Sequence, residues 1–202
     1  MTAQPPPGDD IAALFEEGRR CFRKPDGLGA VRALEKVIDL DPAYRHPDGD
    51  NPYFYLGKIH EVESRYKDAI ALYSQALAND PWDEESLIGR GSCLSVTGQQ
   101  DRAIADFEKV LAIPSRHRRA PVQHLLYAIA ENYRQKNDYA AALHWGQQAL
   151  EKEPDNFRHQ ELVRRGQGHR DHIGGVDGLH TQGAGNFHGL LFQDHVGDLD
   201  VP

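Results

Sequence analysis

Cysteine is scarce: Cys21 and Cys93 are the two in 202 residues, far apart and without a pairing or metal-type spacing. That excludes a disulfide scaffold and fits a reduced, cytoplasmic setting. Long apolar runs are missing too. Nowhere do about 18 apolar residues follow one another, so no bilayer-spanning helix is expected. The opening MTAQPPPGDD has neither a basic nor an apolar region, and no secretory signal is expected there. Basic residues are outnumbered, 23 against 31, for a formal net charge of −8. This balance disfavours nucleic acid as a partner, because neutralising phosphates needs a basic face. The apolar fraction of 39% is somewhat low, yet a chain of this length can still bury one proper core.

Catalytic signatures are equally thin. HRDHIG at His169 echoes a kinase catalytic loop but lacks the asparagine, the glycine loop and the lysine strand. GAGNFHG at Gly183 has no preceding strand and the wrong glycine spacing for a nucleotide site. DGDN at Asp48 is too short for a calcium loop and reads as a turn. Cys21 and Cys93 fall on apolar helical stretches and read as small core residues. The cluster Arg116–Arg119 lies in a connector and reads as solvated, though it could touch an acidic partner. Neither enzyme activity nor a cofactor is expected.

What the chain does contain is repetition. YLGKIHEVESRYKDAIALYSQALANDP from Tyr55 and GRGSCLSVTGQQDRAIADFEKVLAIP from Gly89 carry glycine, alanine, an aromatic and proline in one order. Gly57 and Gly91, Ala69 and Ala103, and Tyr73 and Phe107 each stand 34 residues apart. Two further copies share the register: Gly18, Ala30, Val37 and Pro42 upstream, and Ala130, Ala142, Ala149 and Pro154 downstream. The two outer spacings are 39, with five extra residues each in AYRHPDGDN and PSRHRRAPVQ. Apolar residues recur at three- and four-residue steps, so each copy reads as two helices with a polar turn between them. Pro42, Pro81, Pro114 and Pro154 end the second helices, since proline cannot continue the ladder. The small residues allow close approach of the two helices, and Tyr73 or Phe107 fills the gap to the next copy.

A 34-residue helix–turn–helix with this pattern resembles the tetratricopeptide repeat, over about residues 11–157. Departures are Leu34 and Gly146 at the aromatic position, and Leu14, Tyr53, Leu87 and Leu126 where tryptophan is usual. The resemblance implies an all-α solenoid, a right-handed superhelix of helix pairs whose concave face is lined by the first helices. It implies repeats at about 11–44, 50–83, 84–117 and 123–156 within a domain over 11–165, closed by a capping helix at about 156–165 that covers the last pair's apolar edge with Phe157 and Leu162. Residues 1–10 are expected to be a disordered extension. The tail, 166–202, holds nine glycines and five histidines and is expected to have little order.

The implied groove can be read by position. Phe15, Phe54, Ile88 and Tyr127 stand three residues before each small residue and would form an apolar row for a peptide or an amphipathic helix. The same four side chains could instead plug the crease within each pair. Arg19, Lys58, Ser92 and Glu131 would run from basic to acidic, placing a ligand's acidic end toward Arg19, Arg23 and Lys58. The two-carboxylate clamp of chaperone-binding repeats is disfavoured, because Phe15, Arg19 and Tyr55 replace its lysine and asparagines. The expected function is protein–protein interaction, as an adaptor or assembly factor for a peptide or partner surface. The alternatives are a metal-handling protein using the His-rich tail, and a regulatory subunit of an enzyme on another chain. No metal ligands are assigned, and the partner and oligomeric state are not named by the sequence.

Overall fold

The computed structural model describes residues 10–24 and 26–172. Nearly all of the 1–10 extension, and the tail past His172 with three of its histidines, lie outside the described residues. Among those residues every regular element is an α-helix: α1 (Ile11–Arg23), α2 (Gly27–Leu40), α3 (Pro52–Val62), α4 (Tyr66–Asn79), α5 (Glu84–Val96), α6 (Gln100–Leu111), α7 (Val122–Gln135), α8 (Tyr139–Lys152) and α9 (Phe157–His172). The chain divides into two compact units, the first ending at Gly89 and the second starting at Arg90.

Helix starts are chemically marked. Asp10, Asp26, Asn51 and Asp138 accept hydrogen bonds from the backbone amides of Ala12, Gly29, Phe54 and Ala141 at 2.9–3.1 Å. Such caps satisfy amides that have no partner inside the helix, and each contributes about 0.5–2 kcal/mol. The turns inside three pairs use a left-handed residue at one equivalent position, namely Ser64, Gly98 and Asn137 at φ 61°, 78° and 62°. The second helices end at Leu40, Asn79, Leu111 and Lys152, each ahead of its proline.

In the first unit α1 packs on α2, α2 on α3 and α3 on α4. Phe15, Leu34, Val37, Leu56 and Ile59 form its interior with Ala30. The repeated glycines here receive side chains rather than neighbouring backbone. A Cβ on Gly57 would stand 2.7 Å from the Tyr73 ring, and one on Gly18 the same distance from Leu34. Leu34, at the aromatic position of the first pair, thus covers Gly18 as Tyr73 covers Gly57. Asn51 ties helix starts together: its Nδ2 donates to Asp83 at 2.9 Å, and Asp83 also accepts from the Ser86 hydroxyl at 2.8 Å.

In the second unit α6 packs on α7, α7 on α8 and α8 on α9. Phe107 lies against Gly91, where a Cβ would meet its ring at 2.9 Å. The Arg90 guanidinium grips the buried Asp106 carboxylate with two bonds of 2.8 and 2.7 Å. Gly146 carries no aromatic; Leu162 and Val163 of α9 come to it, 3.3 and 3.5 Å from where its Cβ would be. Two expectations about this end are corrected. The last helix runs to His172 rather than about 165. Of Phe157 and Leu162, both expected to cover the apolar edge, Phe157 is 74% exposed, while Leu162 is buried together with Val163 and His159.

Candidate functional site

The candidate positions of the first unit lie on α1, α3 and the start of α5. Phe15 is fully buried. Its ring is boxed by Tyr44, His46 and Tyr55 at centroid distances of 5.3, 5.4 and 5.8 Å. Burial of this ring is worth roughly 1.5–3 kcal/mol, which is why it does not stand open to a ligand. Ile88 is buried as well. Phe54 is partly open, edge-on to Tyr55 at 5.2 Å and tilted against Tyr73 at 6.3 Å. The expected open row is therefore corrected for Phe15 and Ile88, which serve packing.

The basic end expected at Arg19, Arg23 and Lys58 is also corrected in part. Arg23 is exposed. Arg19 is already held by carboxylates: Asp48 at 2.7 Å, Glu16 at 3.1 Å and Asp50 at 3.6 Å. Lys58 sits 3.2 Å from the buried Glu61, which also accepts from the Tyr73 hydroxyl at 2.5 Å.

The connector between α2 and α3, with its five extra residues, supplies the partners of Arg19. His46 Nδ1 lies 2.7 Å from Asp48, and its Nε2 lies 3.4 Å from Glu16. The Tyr55 hydroxyl donates to Asp50 at 2.5 Å. Burial and then the Asp50 hydrogen bond push the Tyr55 hydroxyl well above its ordinary value. For Asp48, partial burial works against ionisation, but hydrogen bonds from His46, the Asp50 amide and Arg19 outweigh it. The carboxyl is held down at about 2. Tyr44, His46, Asp48, Asp50 and Tyr55 were not among the sequence candidates. Their signal was the added length of AYRHPDGDN and its mixture of aromatic and acidic residues.

In the second unit, Ser92 is buried and its hydroxyl has no hydrogen-bond partner among the described residues, so it does not line an open face. Tyr127 is partly open, its ring 5.3 Å from that of His159. Burial raises the Tyr127 hydroxyl, as does Glu131, while Arg158, Arg134 and Arg165 work in the other direction. Glu131 is gripped by Arg134 through two hydrogen bonds, so the expected acidic end is neutralised locally. Of the basic connector, Arg118 donates to the Leu111 carbonyl at 3.1 Å, while Arg116 and Arg119 are exposed. Cys21 and Cys93 are free thiols, Cys93 buried and Cys21 partly so. Among the described residues no group of three or more His, Cys, Asp or Glu is placed to hold a metal ion. Nor is any described helix long and apolar enough to cross a membrane.

Small residues facing bulky ones at a fixed interval, in consecutive helix pairs, are the decisive geometry. The tetratricopeptide repeat family model matches residues 16–84 and 56–121, together more than half of the chain. The chain belongs to the tetratricopeptide repeat family. Tetratricopeptide repeat protein 21A of Mus musculus is 29% identical over 102 residues, half of this chain. The match spans only 7% of that relative's length. Among solved structures, MamA superposes with a TM-score of 0.68 at 20% identity, covering 81% of this chain and 86% of that one. The first tetratricopeptide domain of Spaghetti (RPAP3), bound to the HSP90 peptide SRMEEVD, gives 0.52 at 17% identity, over 59% of this chain and 90% of that one. These likenesses concern the fold, and the repeat architecture is a general scaffold for protein–protein interaction.

Proposed function

We propose that this tetratricopeptide protein is a cytoplasmic adaptor or assembly factor that holds a peptide or partner surface through the first helices of its repeats. The observation that carries the reading is that Phe54 of α3 and Tyr127 of α7 stay partly open within the repeat scaffold. Aromatic side chains left open in this way offer a large contact area at low entropic cost. Arg23, exposed near the end of α1, would supply a polar contact. Two free thiols suit a reducing compartment. The net charge of −8 favours protein over nucleic acid as the partner. The reading includes no catalytic step and no cofactor.

Affinity capture from native lysate, comparing the wild-type chain with a Phe54→Ala plus Tyr127→Ala variant, tests it. A protein recovered stoichiometrically with the wild type and lost with the double variant is the expected result. Unchanged recovery would remove these two side chains from the binding face and the reading with them.

A further inference from the structure

The connector between the first two helix pairs is laid along α1 as a bound peptide would be. Its start is pinned by Asn79, whose side-chain amide donates to the Pro42 carbonyl at 3.1 Å. Tyr44 and His46 then place their rings on Phe15. Between them Arg45 turns outward to Asp80, at 2.6 Å. A tight turn follows, closed by the Gly49 amide on the His46 carbonyl and the His46 amide on the Asp50 carbonyl, both at 2.8 Å. Gly49 takes φ 100°, which only glycine adopts readily. The turn presents two carboxylates on the same side, Asp48 to Arg19 and Asp50 to the Tyr55 hydroxyl.

Aromatic anchors followed by charge-assisted hydrogen bonds are how a receptor face holds an acidic peptide. The face itself is built from α1 and α3, through Phe15, Arg19 and Tyr55. The segment that fills it belongs to a connector that the pairs at Gly57 and Gly91 manage without, in a spacing five residues shorter. Its polar grip is exposed on the segment's side: Asp48 is 42% and Arg45 47% open on the side chain, against 19% for Arg19 and 23% for Asp80. Ion pairs of that kind hold weakly and exchange with competitors.

We propose that residues 44–50 are an internal ligand that closes the α1 face and is displaced by an acidic peptide that can adopt the same turn and carries the same pattern. That pattern is an aromatic residue, an acidic one four positions later, and another two positions beyond it. The proposal rests on the adaptor reading above for its biological partner, and on the segment's own contacts for its chemistry. A short tether gives the segment an effective concentration on the order of millimolar, so a free peptide competes poorly until the segment lifts.

The test uses a fluorescein-labelled synthetic peptide of residues 43–51, AYRHPDGDN. The receptors are the wild-type chain and a variant whose residues 44–50 are a glycine–serine segment of equal length. The variant is expected to bind the peptide saturably and at least tenfold more tightly than wild type. Arg19→Ala in the variant, and Tyr44→Ala or Asp48→Ala in the peptide, should each weaken binding at least tenfold. A helical variant that fails to bind, or binds no better than wild type, overturns the proposal. If the variant does not fold, hydrogen exchange on the full chain with Asp48→Asn decides. The amides of His46, Asp48, Gly49 and Asp50 opening at least tenfold faster, with α1 and α2 unchanged, supports a liftable segment; α1 and α2 opening with them refutes it. Peptide binding without any captured partner would discard the adaptor reading and keep the internal ligand, and the reverse result would do the opposite.

Discussion

The Tyr73 ring occupies the space that a Cβ on Gly89 would need, with its Cζ only 2.5 Å away. Gly57, on the other side, leaves 2.7 Å. The ring is fully buried between the two glycines and cannot swing aside. Gly89→Ala should therefore cost about 1–3 kcal/mol through overpacking. Urea unfolding of Gly89→Ala, Tyr73→Leu and the double variant should show the two changes partly cancelling, because they share one contact.

Removing only the hydroxyl tests a different link. Tyr73→Phe keeps the ring but takes a donor from the buried Glu61 carboxylate. A loss of about 1–3 kcal/mol is expected, the cost of an under-bonded buried acceptor. Thermal unfolding of Tyr73→Phe beside wild type checks it.

Acid should release the α2–α3 connector. The Asp48 carboxyl is depressed from 3.8 to about 2 in the folded chain. A depressed carboxylate stabilises the folded form above its ordinary value, and that contribution disappears as pH falls through the folded one. The Asp50 amide bonds to Asp48, so its NMR shift should be flat above pH 4 and titrate with a midpoint of about 2. Asp48→Asn should abolish the step while leaving α3 and α4 amides unmoved at neutral pH.

Histidine gives the second unit an acid sensitivity at milder pH. Burial lowers His159 below its ordinary 6.5, Glu153 opposes this, and His124 adds to it. Both folded and unfolded forms are neutral at pH 8, so the full stability is present there. It should decline as pH drops below 6.5 toward the lowered value, because folding then excludes a proton that the unfolded chain binds. His159→Gln should flatten that slope in denaturant titrations between pH 8 and 5.

Two contrasts read the turns and the last helix. Ser64, held at φ 61°, carries a left-handed strain of about 1–2 kcal/mol; Ser64→Gly should recover part of it and raise the melting temperature. Leu162→Ala, emptying the contact over Gly146, should cost about 2–5 kcal/mol. Phe157→Ala at the exposed start of the same helix should stay within about 0.5 kcal/mol.

Legibility followed the range of the forces involved. The prolines and the three- and four-residue apolar steps act within one or two turns of helix, and they read directly from the chain. The recurrence of Gly57 with Gly91 and of Tyr73 with Phe107 is legible because the interval is constant; that each ring lies on the glycine of its own pair is not, since the sequence places the small residues between helix backbones and the rings in the gap to the next copy. Phe15 allows two readings by position, an open groove residue or a packing plug, and the arrival of Tyr44 and His46 decides for the plug. Arg19 looked like a free cation for the same reason. Gly146 looked like a lost aromatic, whereas α9 brings Leu162 across to fill that volume. Of the two apolar residues the sequence offers for that edge, Leu162 fills it and Phe157 does not, because no sequence period reaches across the turn between α8 and α9.

By itself the sequence determined that helices form, where they start and stop, and which faces must meet, since these depend on local backbone chemistry and a repeated hydrophobic interval. The tertiary structure alone decided which of the meeting faces remain open. An irregular connector has no period, and its resting place depends on partners distant along the chain. Arg19 and Phe15 select it by charge and by stacking, two interactions that exist only once the helices have already brought those side chains together.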